Sequence, residues 1–312
     1  MPGAEPPYPR DLRGYGANPP HPRWPGDARI AVQFVVNYEE GAEACILHGD
    51  AASETFLSDI VPALPVAGAR HMNMESLYEY GSRAGIWRLL RVFAERGMHF
   101  TSYAVGMAIE RLPEVAIAMA EAGHEVASHG YRWLDYQFVA RAREQDDLRR
   151  AIEAHTRILG SRPLGFYLGR CSPHTSSLVA EDGGFLYWSD SYADDLPYWD
   201  VACRNSAGRP QLVIPYTLDA NDMRFASAAG YASGDDFFAY LRDSFDMLYA
   251  EGETAPKLLS IGLHCRLAGR PGRALALARF LDHMQRRERV WIARRIDVAR
   301  HWHAEHPYGP TI

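Results

Sequence analysis

Polar and aromatic side chains recur just after the predicted strands of this 312-residue chain. They are Glu39, Glu40, His129, Trp133, Arg170, Asp190, Asp194 and His264. Carboxylates, imidazoles and a guanidinium that meet in one site are the groups that hydrolytic acid–base catalysis uses. Two carboxylates that share a site raise the pKa of at least one of them, which suits proton exchange near neutral pH. We expect both Glu39 and Glu40 in this site, and the sequence leaves open which one is the general base.

The stretch SHGYRW places Trp133 four residues after His129, where a second metal-binding histidine could stand. Catalytic zinc generally takes three protein ligands, and an indole N–H has no lone pair to offer. Glu40 and His129 alone would form an incomplete site, so the sequence predicts no metal and no other cofactor. Trp133 is then either a core aromatic residue or an aromatic wall that faces a flat substrate.

Further polar residues lie in two less regular stretches. His48, Asn221 and Arg224 are candidate contacts for a polar substrate. The C-terminal His301 and His303 resemble a metal-binding tract, but a helix places them on different faces. A solvated terminal helix is the favoured interpretation.

Short apolar runs alternate with helical patterns along most of the chain. The run from Arg29 to Val36 reads as a buried strand, and later helices end at glycines that precede the next strand. This alternation predicts an α/β fold, either a parallel sheet closed into a barrel or a doubly wound sheet. We expect a Pro-rich segment over residues 1–28 and a single catalytic domain over 29–312. An irregular insertion at about 41–83 would serve as a lid or a subunit contact.

Composition excludes several classes of protein. The net charge of −6, without a basic stripe, argues against a nucleic-acid partner. No apolar run has transmembrane length, and the N-terminus lacks the features of a signal peptide. The four cysteines are widely spaced, which fits reduced thiols and a cytoplasmic protein without a membrane partner.

The order of the motifs YEEG, SHGYRW, GFYLGR, WSDSYADD and GLHCR is similar to that of the polysaccharide deacetylase superfamily (NodB homology). The resemblance implies a distorted (β/α) barrel of about seven strands in a single domain. It also places Glu40, His129 and Trp133 at the three metal-ligand positions of that family. Two of these three residues differ in type or length from the family's ligands.

The same resemblance implies catalytic roles. Glu39 falls at the position of the base, His264 at that of the general acid, and Arg170 at that of an arginine that orients the base. Arg170 could instead bind a substrate carbonyl or pair with Asp190, and Asp194 belongs to the same acidic motif. With no metal to bind, His129 would hold the substrate or the oxyanion.

Longer motifs, among them RDLRGYGANPPHPRWP, MESLYEYGSRAGIWR and VIPYTLDANDMRF, resemble the metal-independent allantoinases of this superfamily. This implies hydrolytic opening of the hydantoin ring of allantoin to allantoate in purine breakdown, by a homo-oligomer, commonly a tetramer. The apolar stretch Met72–Tyr78 is a candidate subunit contact. Three alternatives stay open: another cyclic amide hydrolase, a metal-dependent carbohydrate N-deacetylase, and a binding protein without activity.

Overall fold

One twisted sheet forms the centre of the molecule in the computed structural model, which describes residue 8 and residues 10–309. Its strands are β1 (Ile30–Tyr38), β2 (Thr101–Ala104), β3 (Glu125–Ser128), β4 (Gly165–Phe166), β5 (Tyr187–Trp188), β6 (Tyr198–Arg204), β7 (Pro210–Val213), β8 (Lys257–His264) and β9 (Val290–Ile292). Residues 1–7 and 9 of the predicted N-terminal segment, and residues 310–312, lie outside the described part.

The α-helices lie between these strands. They are α1 (Met72–Tyr80), α2 (Ile86–Ala94), α3 (Gly106–Arg111), α4 (Pro113–Glu121), α5 (Arg141–Leu159), α6 (Thr175–Asp182), α7 (Gly234–Glu251), α8 (Pro271–Gln285) and α9 (Arg295–Glu305). None of the described helices is both long and apolar enough to cross a bilayer.

The sheet follows the order β6-β7-β5-β4-β3-β2-β1-β8, and β9 adds to β1. Every pairing is parallel except that of β6 with β7. The expected single-domain (β/α) fold is confirmed, and the described residues form nine strands where about seven were expected. The sheet curls without closing, and a short bridge between Asn221 and Gly262 spans the seam between β7 and β8.

Arg295 holds the two sides of this seam together. Its buried guanidinium donates to Gln33 Oε1 on β1 at 3.0 Å, to Ser260 Oγ on β8 at 2.9 Å and to Ser189 Oγ after β5 at 3.0 Å. It also reaches the carbonyl of Pro215, beyond β7, at 2.7 Å. Because buried N–H groups require acceptors, these contacts fix the distance between strands that do not pair directly.

The insertion is more ordered than its sequence suggests. It contains a 3-10 turn at Ile46–His48 and helix α1, which continues through a wider turn at Gly81–Gly85 into α2. Met74 and Tyr78 on α1 are buried in the main core, whereas Met72 is 59% exposed. Met74 and Tyr78 therefore pack against their own chain, and a subunit contact through the exposed part of this stretch stays a prediction.

The C-terminal helix α9 is not the solvated helix that we expected. Its Trp302 is buried against Trp24. His301 and His303 contact the carbonyl oxygens of Pro22 and Leu186 at 2.8 and 3.0 Å. The helix thus contributes to the core, and its histidines are occupied by backbone acceptors.

Candidate active site

Glu39 follows β1 directly and lies at the centre of a buried cluster of charged side chains. Its Oε1 atom is 3.2 Å from His129 Nε2 and 3.5 Å from His264 Nε2. Its Oε2 atom accepts a hydrogen bond from Arg266 Nη1 at 2.7 Å. Burial alone would raise the pKa of this carboxyl group, but Arg266 and the two histidines hold it well below its usual range. Glu39 is therefore an ionised carboxylate beside a guanidinium and two imidazole rings.

His264, the last residue of β8, is fixed by Asp222. The Nδ1 atom of His264 lies 2.6 Å from Asp222 Oδ1. Asp222 Oδ2 accepts from the backbone N–H groups of His264 and Ala268 at 2.7 and 2.8 Å. Burial opposes the charged imidazole, but Glu39 and Asp222 outweigh burial and raise the pKa of His264. The ring is held as a proton donor whose Nε2 faces Glu39.

His129 follows β3 and faces acceptors on both sides of its ring. Nδ1 is 3.0 Å from the carbonyl oxygen of Tyr167, and Nε2 is 3.2 Å from Glu39. The ring also stacks on that of Tyr167, with centroids 5.1 Å apart. Both ring nitrogens of His129 thus lie within hydrogen-bond distance of an oxygen atom, and these contacts fix the orientation of the ring.

Glu40 lies behind this cluster. Its Oε2 atom accepts from the backbone N–H of Glu39 at 3.0 Å, and its Oε1 atom is 3.7 Å from Arg266 Nη1. Burial is the main cause that raises the pKa of Glu40 to about 7, and the charge of Glu39 adds to it. A Cβ atom placed on Gly81 would come within 2.0 Å of Glu40 Oε1. The glycine therefore provides the space that this carboxyl group occupies.

Trp133 is not a free aromatic wall. It is 4% exposed, and its ring packs against Phe56 and Tyr78 at centroid distances of 6.0 and 5.8 Å. The guanidinium carbons of Arg170 and Arg266 lie 4.3 and 4.9 Å from the ring centroid. The exposed face that substrate stacking would need is missing because these side chains cover the ring.

Arg170 contacts neither Glu39 nor Asp190. Its Nη2 atom donates to Glu54 Oε2 at 3.2 Å and to the carbonyl of Trp133 at 3.0 Å. The arginine that pairs with the candidate base is instead Arg266, which comes two residues after His264. The role of Arg170 in binding a substrate carbonyl stays a prediction.

Asp190 and Asp194, the two aspartates of the acidic motif, lie in different parts of the structure. Asp190 accepts the backbone N–H groups of Leu168 and Gly169 at 2.8 and 2.6 Å, which shapes the loop after β4. Asp194 accepts from Leu196 N at 3.1 Å. It lines a separate cleft of about 1360 Å³ at the seam of the sheet, away from Glu39 and both histidines of the cluster.

The weaker candidates lie outside the cluster or are fully engaged. His48 contacts the carbonyl of Glu43 at 3.0 Å. Asn221 is buried, accepts from Met223 N at 3.0 Å and donates to Thr217 O at 3.1 Å. Arg224 is exposed and donates to the carbonyl of Ala229 at 3.1 Å. The hydrogen bonds of these three side chains are made with their own loops and not with Glu39, and their contacts with a substrate stay a prediction.

The insertion contacts the cluster through the backbone of Leu57, as well as through the ring of Tyr78. The carbonyl of Leu57 accepts from Arg266 Nε at 2.9 Å, and Tyr78 donates its hydroxyl to the carbonyl of Phe56 at 3.0 Å. Arg273 pairs with Asp59 at 2.6 Å further along the same loop. These contacts hold the loop against the buried cluster. The action of this loop as a lid stays a prediction.

The residues do not fit the metal that the deacetylase resemblance implies. The described residues contain no group of three His, Cys, Asp or Glu side chains arranged to hold an ion. Trp133 has no lone pair to donate, and a guanidinium already lies beside both Glu39 and Glu40. A dication at this place would meet a fixed positive charge.

Comparison with related sequences agrees with the observed fold. The polysaccharide deacetylase family pattern matches residues 73–181. A putative polysaccharide deacetylase from Schizosaccharomyces pombe is 43% identical over 315 aligned residues, which cover 96% of this chain and 98% of the relative. The chain belongs to the polysaccharide deacetylase family. The resemblance deduced from the motif order is therefore confirmed.

Two solved structures are closely similar to this chain. A probable polysaccharide deacetylase from Pseudomonas aeruginosa PAO1 is 61% identical with a TM-score of 0.95, over 97% of this chain and 100% of the other. The structure of Puue allantoinase is 60% identical with a TM-score of 0.95, over 97% of this chain and 99% of the other. The chain is thus a deacetylase-family protein along nearly its whole length.

Sequence reasoning missed the two residues that complete the cluster. The sequence suggests for Asp222 only a polar contact with substrate, like those of its neighbours Asn221 and Arg224, whereas in the structure its carboxylate fixes His264. Arg266 was quoted within GLHCR but received no role. Its position two residues after a candidate catalytic histidine on a late strand was the available signal.

Proposed function

We propose that this protein is an allantoinase that opens the hydantoin ring of allantoin to allantoate by hydrolysis, without a metal. One observation carries the proposal: an ionised Glu39 lies within reach of two imidazoles and a guanidinium, in a cluster without a third metal ligand. The high identity to Puue allantoinase over almost both chains supports the same substrate.

The cluster supplies a base and an acid whose reactive atoms are 3.5 Å apart. In the proposed mechanism Glu39 accepts a proton from water as the water oxygen bonds to the carbonyl carbon of the ring amide. The C–N bond then breaks, and His264 gives its Nε2 proton to the departing nitrogen. Asp222 stabilises the imidazolium before this step and keeps its Nε2–H directed at the site.

The site resets without an additional residue. After turnover Glu39 carries the proton taken from water, and His264 lacks one. Their Oε1 and Nε2 atoms are 3.5 Å apart, so the proton returns to His264 with a small movement or through one water molecule. Water has then been added across the C–N bond, and both side chains are in their starting states.

The chemistry of the substrate lowers the electrophilic assistance required. The leaving nitrogen of a hydantoin is part of a ureide, whose second carbonyl delocalises the developing charge. A metal that polarises a carbonyl supplies several kcal/mol, and one preorganised oxyanion donor contributes roughly 3 kcal/mol in a dry pocket. Two or three donors can therefore take the place of a metal in this reaction.

Carbohydrate N-deacetylation is the second candidate, because the fission yeast relative and the Pseudomonas protein carry deacetylase names. A simple acetamide has a poorer leaving group and relies more heavily on a Lewis acid. The donors around Glu39 do not provide a metal site, so the geometry favours the ureide over the acetamide.

Steady-state assays of purified protein test the choice. The substrates are allantoin, dihydrouracil, succinimide and an N-acetylglucosamine oligomer, each assayed before and after chelator treatment. We expect turnover of allantoin that chelation leaves unchanged, loss of kcat in Glu39→Gln and His264→Asn, and normal activity in the exposed control Glu121→Gln. Zinc-dependent release of acetate with no allantoate would refute the proposal, and turnover of another ring alone would redirect it to another cyclic amide hydrolase.

The same resemblance leads us to infer a cytoplasmic homotetramer that acts in purine breakdown, without a nucleic-acid or membrane partner. Sedimentation of the purified protein tests the assembly. A monomer at micromolar concentration would contradict it and would leave the catalytic proposal untouched.

A further inference from the structure

Arg266 has one nitrogen atom whose role the surrounding protein does not explain. The side chain is 1% exposed. Its Nε donates to the carbonyl of Leu57 at 2.9 Å and its Nη1 donates to Glu39 at 2.7 Å. Its Nη2 is buried and has no hydrogen-bond partner among the described residues. A buried donor without an acceptor is unfavourable, so an acceptor is expected there when the site is in use.

The guanidinium is held rigidly. Its central carbon lies 4.2 Å from the ring centroid of Tyr78 and 4.9 Å from that of Trp133. Aromatic neighbours at these distances favour a cation, while the bonds through Nε and Nη1 fix the plane of the group. The free Nη2–H therefore keeps one direction and loses little conformational entropy when it binds an acceptor.

The guanidinium of Arg266 also lies beside both carboxyl groups of the acidic pair, Glu39 and Glu40. Arg266 Nη1 is 2.7 Å from Glu39 and 3.7 Å from Glu40, and Glu39 in turn contacts His129. A cation bound by these carboxylates would have to lie close to this guanidinium. The side chain thus occupies the electrostatic position that a metal ion would otherwise take.

We propose that Arg266 is the built-in cation of this site, and that its Nη2–H donates to the substrate carbonyl oxygen as that oxygen becomes an oxyanion. The identity of the substrate rests on the function proposed above. No proton leaves the arginine, because a guanidinium stays charged throughout the working pH range. Unlike a metal, it does not ionise water, so a separate base such as Glu39 is required.

Kinetics of two substitutions test the donor. Arg266→Lys keeps a positive charge but lacks the fixed Nη2–H, and Arg266→Ala removes both. We expect kcat for allantoin to fall roughly 100- to 1,000-fold in each, as when one oxyanion donor is lost, with a much smaller change in KM. Millimolar guanidinium should partly restore kcat in Arg266→Ala, whereas urea should not. Arg279→Ala, which removes a surface ion pair with Asp235, is the control.

Zinc binding tests the position of the charge without any substrate. Trp133→His supplies the missing type of ligand but leaves the guanidinium in place, so we expect no bound zinc after dialysis. Trp133→His combined with Arg266→Ser removes the competing charge, and we expect about one zinc per chain. Equal zinc binding by the single variant, or none in a folded double variant, would overturn the proposed position.

The two experiments separate this inference from the proposed function. Failure of the wild-type protein to open allantoin would reject the function, while the zinc measurement would still report on Arg266. A kcat for Arg266→Lys within tenfold of wild type on an active enzyme would reject the donor role alone. If the alanine and double variants do not fold, the lysine variant still decides, because it keeps the charge beside Glu39.

Discussion

The buried carboxyl group of Glu40 should make the stability of the protein depend on pH, and Glu40→Gln tests this. Its pKa rises from the ordinary 4.5 to about 7 in the folded chain, mainly through burial. Between these values the folded state binds a proton that the unfolded state has lost, so stability falls as pH rises. The shift is roughly 2.5 pH units, which corresponds to a loss of about 3 kcal/mol by pH 8. A glutamine at this position does not titrate and should not show this loss.

Denaturant unfolding at pH 5, 6, 7 and 8 measures the effect. The difference in unfolding free energy between Glu40→Gln and wild type should change by about 3 kcal/mol in favour of the variant from pH 5 to pH 8. Other groups titrate alike in both proteins and cancel in this difference. The exposed Glu121→Gln should track wild type at every pH. A difference that stays constant within about 1 kcal/mol would show that Glu40 does not carry the burial penalty.

Other substitutions probe the same cluster. Asp222→Asn removes a charge that raises the pKa of His264. We expect kcat to fall roughly 100-fold or more and the alkaline limb of the pH–rate profile to move to lower pH. An alkaline limb that does not move would exclude His264 as the group that titrates there. Gly81→Ala pushes a Cβ into the carboxyl group of Glu40 and should destabilise the fold by about 1–3 kcal/mol in thermal unfolding. Gly272→Ala on α8, where the added Cβ meets no atom within 4 Å, is its control, and equal effects would contradict the clash.

The elements that carry a strong local pattern could be predicted from the sequence. The sequence pattern predicts helices over residues 143–159 and 235–250 and a strand from Arg29 to Val36. Helices α5 and α7 and strand β1 match these positions within a few residues because apolar periodicity and terminal glycines are local signals. Strand β6 was missed. It pairs only with β7 at the edge of the sheet, and most of its residues are partly or fully exposed, so no apolar run identifies it.

The site was predictable as a set of residues but not as a set of pairs. Glu39, His129 and His264 follow strands β1 and β3 and end β8, and parallel strands bring such positions to one end of the sheet. The contacts that these residues make with Arg266 and Asp222 could not be predicted in the same way. Arg266 is 227 positions from Glu39 in the sequence, and Asp222 is 42 positions from His264. The direction of each side chain after its strand decides these contacts, and local sequence contains little information about that direction.

The exchange of a metal for protonated side chains changes how such a site responds to pH. The charge of a metal ion is fixed once it is bound, and a guanidinium such as that of Arg266 is equally constant. The charge of an imidazolium, in contrast, is lost when the ring releases its proton. Because Glu39 is ionised well into the acid range, its own titration should not limit the reaction near neutral pH. Loss of the proton from His264 should limit the reaction, and activity should decline as pH rises through the raised pKa of that residue. Added zinc should not restore this alkaline loss, since the missing charge is a proton on the acid and not a Lewis acid beside the carbonyl.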